Sequence, residues 1–244
     1  MSYNSPFDRD SRPSPAYGAG TRAIEVDVGL RRYMLQVYNF MAAGLGVTGL
    51  AAYAAVATGF YQQIAGTPLI WLVMLAPLGA VLFLAFGIER VSAGVAQATF
   101  WTYAALMGLS LAGIFLLFAG TSIARVFFIT AGTFAAMSLY GYTTQRDLSQ
   151  FSAFLFMGLI GIVLASLVNI FVASHALQFA ISVIGVIVFT GLTAWDTQRI
   201  KEVYLESDPG DVLTKKALMG ALALYLDFIN LFVMLLQLGG QRRE

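Results

Sequence analysis

The chain has 244 residues, of which 59% are hydrophobic and 11% charged, with a mean hydropathy of +0.77 and a formal net charge of +1. That composition excludes a soluble domain and indicates a polytopic membrane protein, and the absence of a clustered basic face excludes nucleic acid as a partner. With no cysteine and a single histidine, His175, disulfides, thiol nucleophiles, iron-sulfur clusters and cysteine- or histidine-rich zinc sites are excluded as well.

Residues 1 to about 30 mix Ser, Pro, Gly and charge without an apolar core or small-residue cleavage site, so they read as a disordered tail rather than a signal peptide. Residues 31–240 form the second unit, a transmembrane domain. Apolar windows predict seven spans within it, at about 33–58, 68–88, 97–119, 123–142, 151–172, 177–199 and 216–238. The first carries small residues four apart at Gly44, Thr48 and Ala52, a spacing that lets helix backbones approach closely. Gly158, Gly161, Gly185 and Gly191 read in the same way. The breaks between spans are short, so sequential helices are expected to be antiparallel neighbours in one bundle.

Most of the Lys and Arg fall on one side of this arrangement: the N-terminal arginines, Arg90, Arg146, Arg199, Lys201, Lys215 and Lys216 stand against Arg125, Arg242 and Arg243. The positive-inside rule then places the N-terminus in the cytoplasm. Seven crossings leave the C-terminus outside, although Arg242 and Arg243 favour the other side. A re-entrant final helix is the competing arrangement for the seventh crossing.

Two aspartates interrupt the last two spans. Asp196 lies near the cytoplasmic end of the sixth and Asp227 near the middle of the seventh. An Asp near a helix centre costs roughly 2.5 to 3.5 kcal/mol on insertion, and such groups face a protein interior or a water-filled path. For Asp227 the choice is between a hydrogen-bonded lock on neighbouring helices and a titrating or ion-handling group. For Asp196 the plain reading is a solvated helix-end carboxylate. Because the two spans are consecutive, the carboxyls can meet, and desolvation and mutual repulsion would then disfavour the doubly ionised pair, making a proton-controlled latch. Ionised, the pair offers hard oxygen ligands for a transient Ca²⁺, whose usual six to eight oxygens would need waters, carbonyls or the nearby Asn230. Arg90 either anchors the second span beside Glu89 or reaches inward to Asp196 as a charge-assisted latch. Arg146 and Asp147 read as a solvated turn and helix start. Ser110 lacks the spacing of a nucleophile elbow, no metalloprotease helix or phosphate loop is present, and the dipeptides Trp195-Asp196 and Leu226-Asp227 differ from those of intramembrane aspartyl proteases. The chain is therefore expected not to be an enzyme.

Three segments, Ser138-Leu-Tyr-Gly-Tyr-Thr-Thr-Gln-Arg-Asp-Leu-Ser149, Trp195-Asp-Thr-Gln-Arg-Ile-Lys201 and Ala223-Leu-Tyr-Leu-Asp-Phe-Ile-Asn-Leu-Phe232, resemble the Bax inhibitor-1 family, also called the transmembrane Bax-inhibitor-motif family, in its bacterial branch. The likeness runs from about residue 30 to the C-terminus. It implies an all-α membrane fold with six helices around a central seventh. It also implies a pH-sensitive calcium leak in the bacterial inner membrane, with calcium as the transported ion and no tightly bound cofactor. On that resemblance Asp196 and Asp227 match the family's paired aspartates, and Arg90 matches a basic residue that latches the sixth-helix aspartate. The resemblance does not extend to an acidic residue midway along the second helix, where Pro77, Leu78 and Gly79 stand, and Trp195 replaces a frequent Tyr. The alternative function it implies is an interaction protein that restrains a membrane-bound quality-control protease through the N-terminal tail or the bundle surface. Bax binding is not expected.

Overall fold

The computed structural model describes residues 16–243, with side chains from Val28 onward; the tail expected over residues 1–30 therefore lies largely outside the described residues. Within them the chain folds into helices α1 (Ala16–Ala57), α2 (Phe60–Ala65), α3 (Leu69–Gly87), α4 (Ala93–Leu111), α5 (Gly113–Leu117), α6 (Gly120–Thr143), α7 (Ser149–Val172), α8 (His175–Glu202) and α9 (Gly210–Gly239). Seven segments are long and apolar enough to cross a membrane, and they coincide with the seven expected spans. The third combines α4 with α5 across Ala112, and α2 is a short turn of helix in the first connection. The breaks are capped where their sequence allows. The Ser92 and Ser174 side chains accept from the amides of Val95 and Leu177, as N-cap residues do, and the Asp147 carboxylate, in the turn just before α7, accepts from the Ser149 amide at 2.8 Å.

The last helix organises the rest. In α9, 61% of the most apolar window is buried, against 11% in α3 and in α7. Helices α1, α4, α6 and α8 pack on it directly, whereas α3 packs mainly on α4 and α7 on α8. Each outer helix therefore turns apolar side chains such as Phe86, Leu72, Phe171 and Ile170 outward, as a bilayer-facing helix does. The seventh crossing is a single unbroken helix of 30 residues, about 45 Å long at roughly 1.5 Å per residue. Its far end is tied to the α5–α6 connection: Ala119 N donates to Gln241 O at 3.0 Å and Arg243 N to Leu117 O at 2.9 Å. The re-entrant alternative is not adopted, because α9 begins beside Val203 and ends at the opposite pole of the bundle.

Polar groups stitch the helices together. Thr48 Oγ1 donates to the carbonyls of Gly44 and Ala104 at 2.9 and 2.8 Å and sits 2.6 Å from the Tyr225 hydroxyl, joining α1, α4 and α9 at one point. Ser110 Oγ donates to Val73 O at 2.7 Å, tying α4 to α3. The small residues expected at contacts are largely there: Gly44 faces Phe100 and Tyr225, Gly158 faces Val188, Gly191 faces Leu155 and Gly185 faces Met234, while Gly161 faces open space. The tightest approach to another helix's backbone was not among them. A Cβ at Gly141 of α6 would run into the Ala194 carbonyl of α8, and no flexible side chain there can yield.

Gly141→Ala is accordingly expected to destabilise the bundle by about 1 to 3 kcal/mol, the usual cost of overpacking. Gly132→Ala, on the same helix with nothing near its added methyl, should leave stability unchanged or slightly raised. Thermal unfolding of both variants in detergent, followed by loss of the monodisperse elution peak, measures the difference.

Candidate functional site

Helices α8 and α9 run antiparallel, with Ile200 against Gly220 near one end and Ser182 bonded to Gln237 near the other. That register places Asp227 about one helical turn deeper than Asp196, and the two carboxyls lie within reach of each other. Ionised carboxylates only accept hydrogen bonds, so a hydrogen bond between the two can form only when one of them carries a proton. Asp227 is 4% exposed, and its Oδ2 has no hydrogen-bond partner among the described residues. An acceptor left without a partner in a low-dielectric interior is costly.

Local sequence determines how α8 presents Asp196. Residues 192–195, 197 and 198 are buried, so this part of the helix is enclosed on nearly every side. Trp195 packs edge-on against Phe156 of α7 at 5.3 Å, and the Arg199 guanidinium lies 5.3 Å from its ring centroid, a cation–π geometry. Gln198 grips the α6–α7 connection with both ends of its amide, accepting from Leu148 N and donating to Arg146 O, each at 2.8 Å. Thr197 Oγ1 donates to Thr193 O and lies 2.9 Å from Ser138 Oγ, which lies 2.5 Å from the Tyr38 hydroxyl. Lys201 Nζ donates to Tyr142 O at 2.9 Å. The Asp196 segment is thus held from α1, α6, α7 and the α6–α7 turn.

Asp196 lines a cavity of about 550 Å³ at the end of the bundle where α8 gives way to α9, with Glu89, Arg199, Lys215 and Lys216 around it. Asp227 is not on its wall but behind Asp196. Towards the opposite end, Phe127, Phe134, Phe228 and Phe232 interlock edge to face, with ring centroids 5.5 to 6.4 Å apart, while Tyr103 meets Tyr225, two residues before Asp227 in α9, at 5.3 Å. The geometry is one-sided: a mixed-charge vestibule, a carboxyl pair at its inner end, and aromatic packing beyond.

The other expected site residues fall outside this contact. Arg90 is exposed in the turn after α3, does not line the cavity, and forms no ion pair with Asp196. The guanidinium sharing the cavity with Asp196 is that of Arg199, one helical turn further on, where an i, i+3 spacing places both on neighbouring parts of one face. That spacing was readable in the sequence, whereas the Gln198 clamp and the place of Glu89 on the cavity wall were not. Asn230 is half-buried in α9 and makes no hydrogen bond to either carboxyl. Among the described residues no group of three or more His, Cys, Asp or Glu side chains is arranged to hold a metal ion. His175 is exposed at the start of α8.

Comparison with known proteins follows the same lines. The sequence model of the family described as "Inhibitor of apoptosis-promoting Bax1" matches residues 30–244. An uncharacterised protein of Rickettsia prowazekii is 49% identical over 219 residues, covering 89% of this chain and 93% of its own length. The inner membrane protein YbhL of Escherichia coli is 49% identical over 224 residues, covering 90% and 96%, and an uncharacterised protein of Caulobacter vibrioides is 44% identical over 233 residues, covering 91% and 93%. Motifs, bundle and relatives agree over the same stretch, and the chain belongs to the Bax inhibitor-1 family of membrane proteins.

Proposed function

We propose that the protein is a non-enzymatic calcium leak of a bacterial inner membrane, controlled by the proton that Asp196 and Asp227 share. The observation that carries this reading is the meeting of two carboxyls at the inner end of a one-sided cavity. Lys and Arg are concentrated around that cavity's end of the bundle, which supports a cytoplasmic N-terminus and a vestibule facing the cytoplasm. YbhL is by its name an inner membrane protein, and the same address is proposed for this chain.

The mechanism follows from the charge states of the pair. With one proton shared, the carboxyls bond to each other and hold α8 to α9, so the aromatic packing beyond Asp227 stays closed. When that proton leaves, two adjacent negative charges in a poorly solvated site repel. The helices separate at this level, and the same two carboxylates become hard oxygen ligands for an entering Ca²⁺. Two protein carboxylates are too few for a high-affinity cage, which suits an ion in transit. Arg199 and Glu89 are proposed to set the field at the vestibule, with Arg90 and Asn230 kept as secondary candidates for the latch and for completing the ion's shell.

Calcium flux into proteoliposomes is expected to rise with pH on the vestibule side, by up to about tenfold per pH unit below the midpoint, as for loss of one proton. Asp227→Asn replaces the shared proton with a permanent amide donor to Asp196. It should give low flux that no longer depends on pH, and Asp196→Asn should do the same. Flux in either variant that follows the wild-type pH profile excludes the pair as the sensor. Deletion of residues 1–28 should leave flux unaltered. If no flux occurs at any pH while that deletion abolishes co-purification with a membrane-bound protease, the interaction reading replaces the leak.

A further inference from the structure

A second cavity, separate from the carboxyl pair, lies between α1 and α6. Both helices pack on α9, yet they scarcely touch each other, and the space between them is a cleft of about 1000 Å³, at the upper end of ligand-pocket size. It opens sideways: Leu35, Leu50 and Leu139 on its walls are 52%, 72% and 63% exposed. Phe228 forms part of its floor.

The cleft has a polarity gradient along the membrane normal. The Tyr38–Ser138 hydrogen bond sets the register of α1 against α6, so Arg31 and Tyr142 fall at the vestibule end while Gly49, Leu50 and Phe127 fall towards the other. At the polar end Arg31 lines the cleft, and Lys201 stands behind Tyr142, with its Nζ 5.6 Å from the ring centroid. No acidic side chain lines the cleft among the described residues. Beyond Tyr38 and Ser138 the walls are wholly apolar, and Gly46 and Gly49 leave open space where other residues would project side chains.

We propose that this cleft is a binding site for an anionic phospholipid, its acyl chain lying between α1 and α6 and its phosphate at Arg31. Three features select that occupant. The opening faces the hydrocarbon, so whatever fills it must be apolar over most of its length. The cationic groups sit at one end only, where a headgroup lies and where anionic lipid is attracted by nearby Lys and Arg. The gap is an internal slot reaching the floor at Phe228 rather than a flat helix face, so a chain within it is distinguished from bulk lipid by contacts on both sides. Because Phe228 adjoins Asp227 in α9, the bound chain buttresses the helix that carries the inner aspartate.

The full chain in mild detergent, given equal amounts of phosphatidylglycerol and phosphatidylcholine, is to be examined by native mass spectrometry. Wild type should retain phosphatidylglycerol with a preference of about fivefold, the scale of one cationic residue acting on anionic lipid. Arg31→Gln should abolish that preference while lipid remains bound. Gly46→Leu and Gly49→Leu fill open space, so both are expected to fold, as an unchanged elution volume will verify, and to lose retention of either lipid. Equal retention of the two lipids by wild type, or retention unaltered in both filled variants, overturns the assignment and leaves the cleft to detergent or a partner helix.

Discussion

The contact between Asp196 and Asp227 imposes the main constraint on this bundle. A carboxyl pair in a bilayer-spanning interior is tolerated only with a shared proton or a bound cation, because desolvation and repulsion act together against two unscreened negative charges. Apart from the cavity that Asp196 lines, the surroundings of the pair are close-packed. Asp227 lies in the most enclosed helix, with α1, α4, α6 and α8 packed directly around it. Asp196 lies in a segment of α8 clamped from several neighbours. The two aspartates thus sit in the parts of the bundle that the fold holds most firmly.

Those clamps show how a membrane bundle is held without the hydrophobic drive available in water. Lipid tails are as apolar as Leu, so association relies on close packing and on polar groups that have no solvent to turn to. Gly141 lets α6 touch the backbone of α8. Thr48 spends its hydroxyl on two carbonyls and a tyrosine from three different helices, and Gln198 closes both ends of its amide on the α6–α7 turn. Each bond is modest by itself, yet removing one partner leaves the other buried and unsatisfied, so the network behaves more cooperatively than its individual energies suggest.

The two principal cavities divide the interior by chemistry. One is a vestibule of mixed charge that reaches Asp196, and the other an apolar slot whose single lining cation is Arg31. They approach α9 from different sides, at Ala223 and Gly220 for the vestibule and at Phe228 for the slot. A residue beside the inner aspartate is therefore also a wall of the lipid-facing cleft, and the packing of α1 against α6 bears on the environment of the pair.

Much of the architecture was legible from composition. Seven apolar runs with short breaks predict seven antiparallel helices, because a backbone in hydrocarbon must satisfy its own hydrogen bonds and 20 or so apolar residues are needed to cross. The two aspartates stood out for the same reason, since a charge in such a run is expensive wherever it points. Side-chain partners were another matter. Arg90 and Arg199 are equally basic in the sequence, and only the turn after α3 and the rotation of α8 decide that Arg199 shares the cavity with Asp196. The depth of Asp227 behind Asp196, the Gln198 clamp across 50 positions and the gap between α1 and α6 depend on helix rotation and on contacts between distant residues. Hydropathy reports how far a segment lies from water, and it carries no information about azimuth; the interlocking of side chains between helices supplies that.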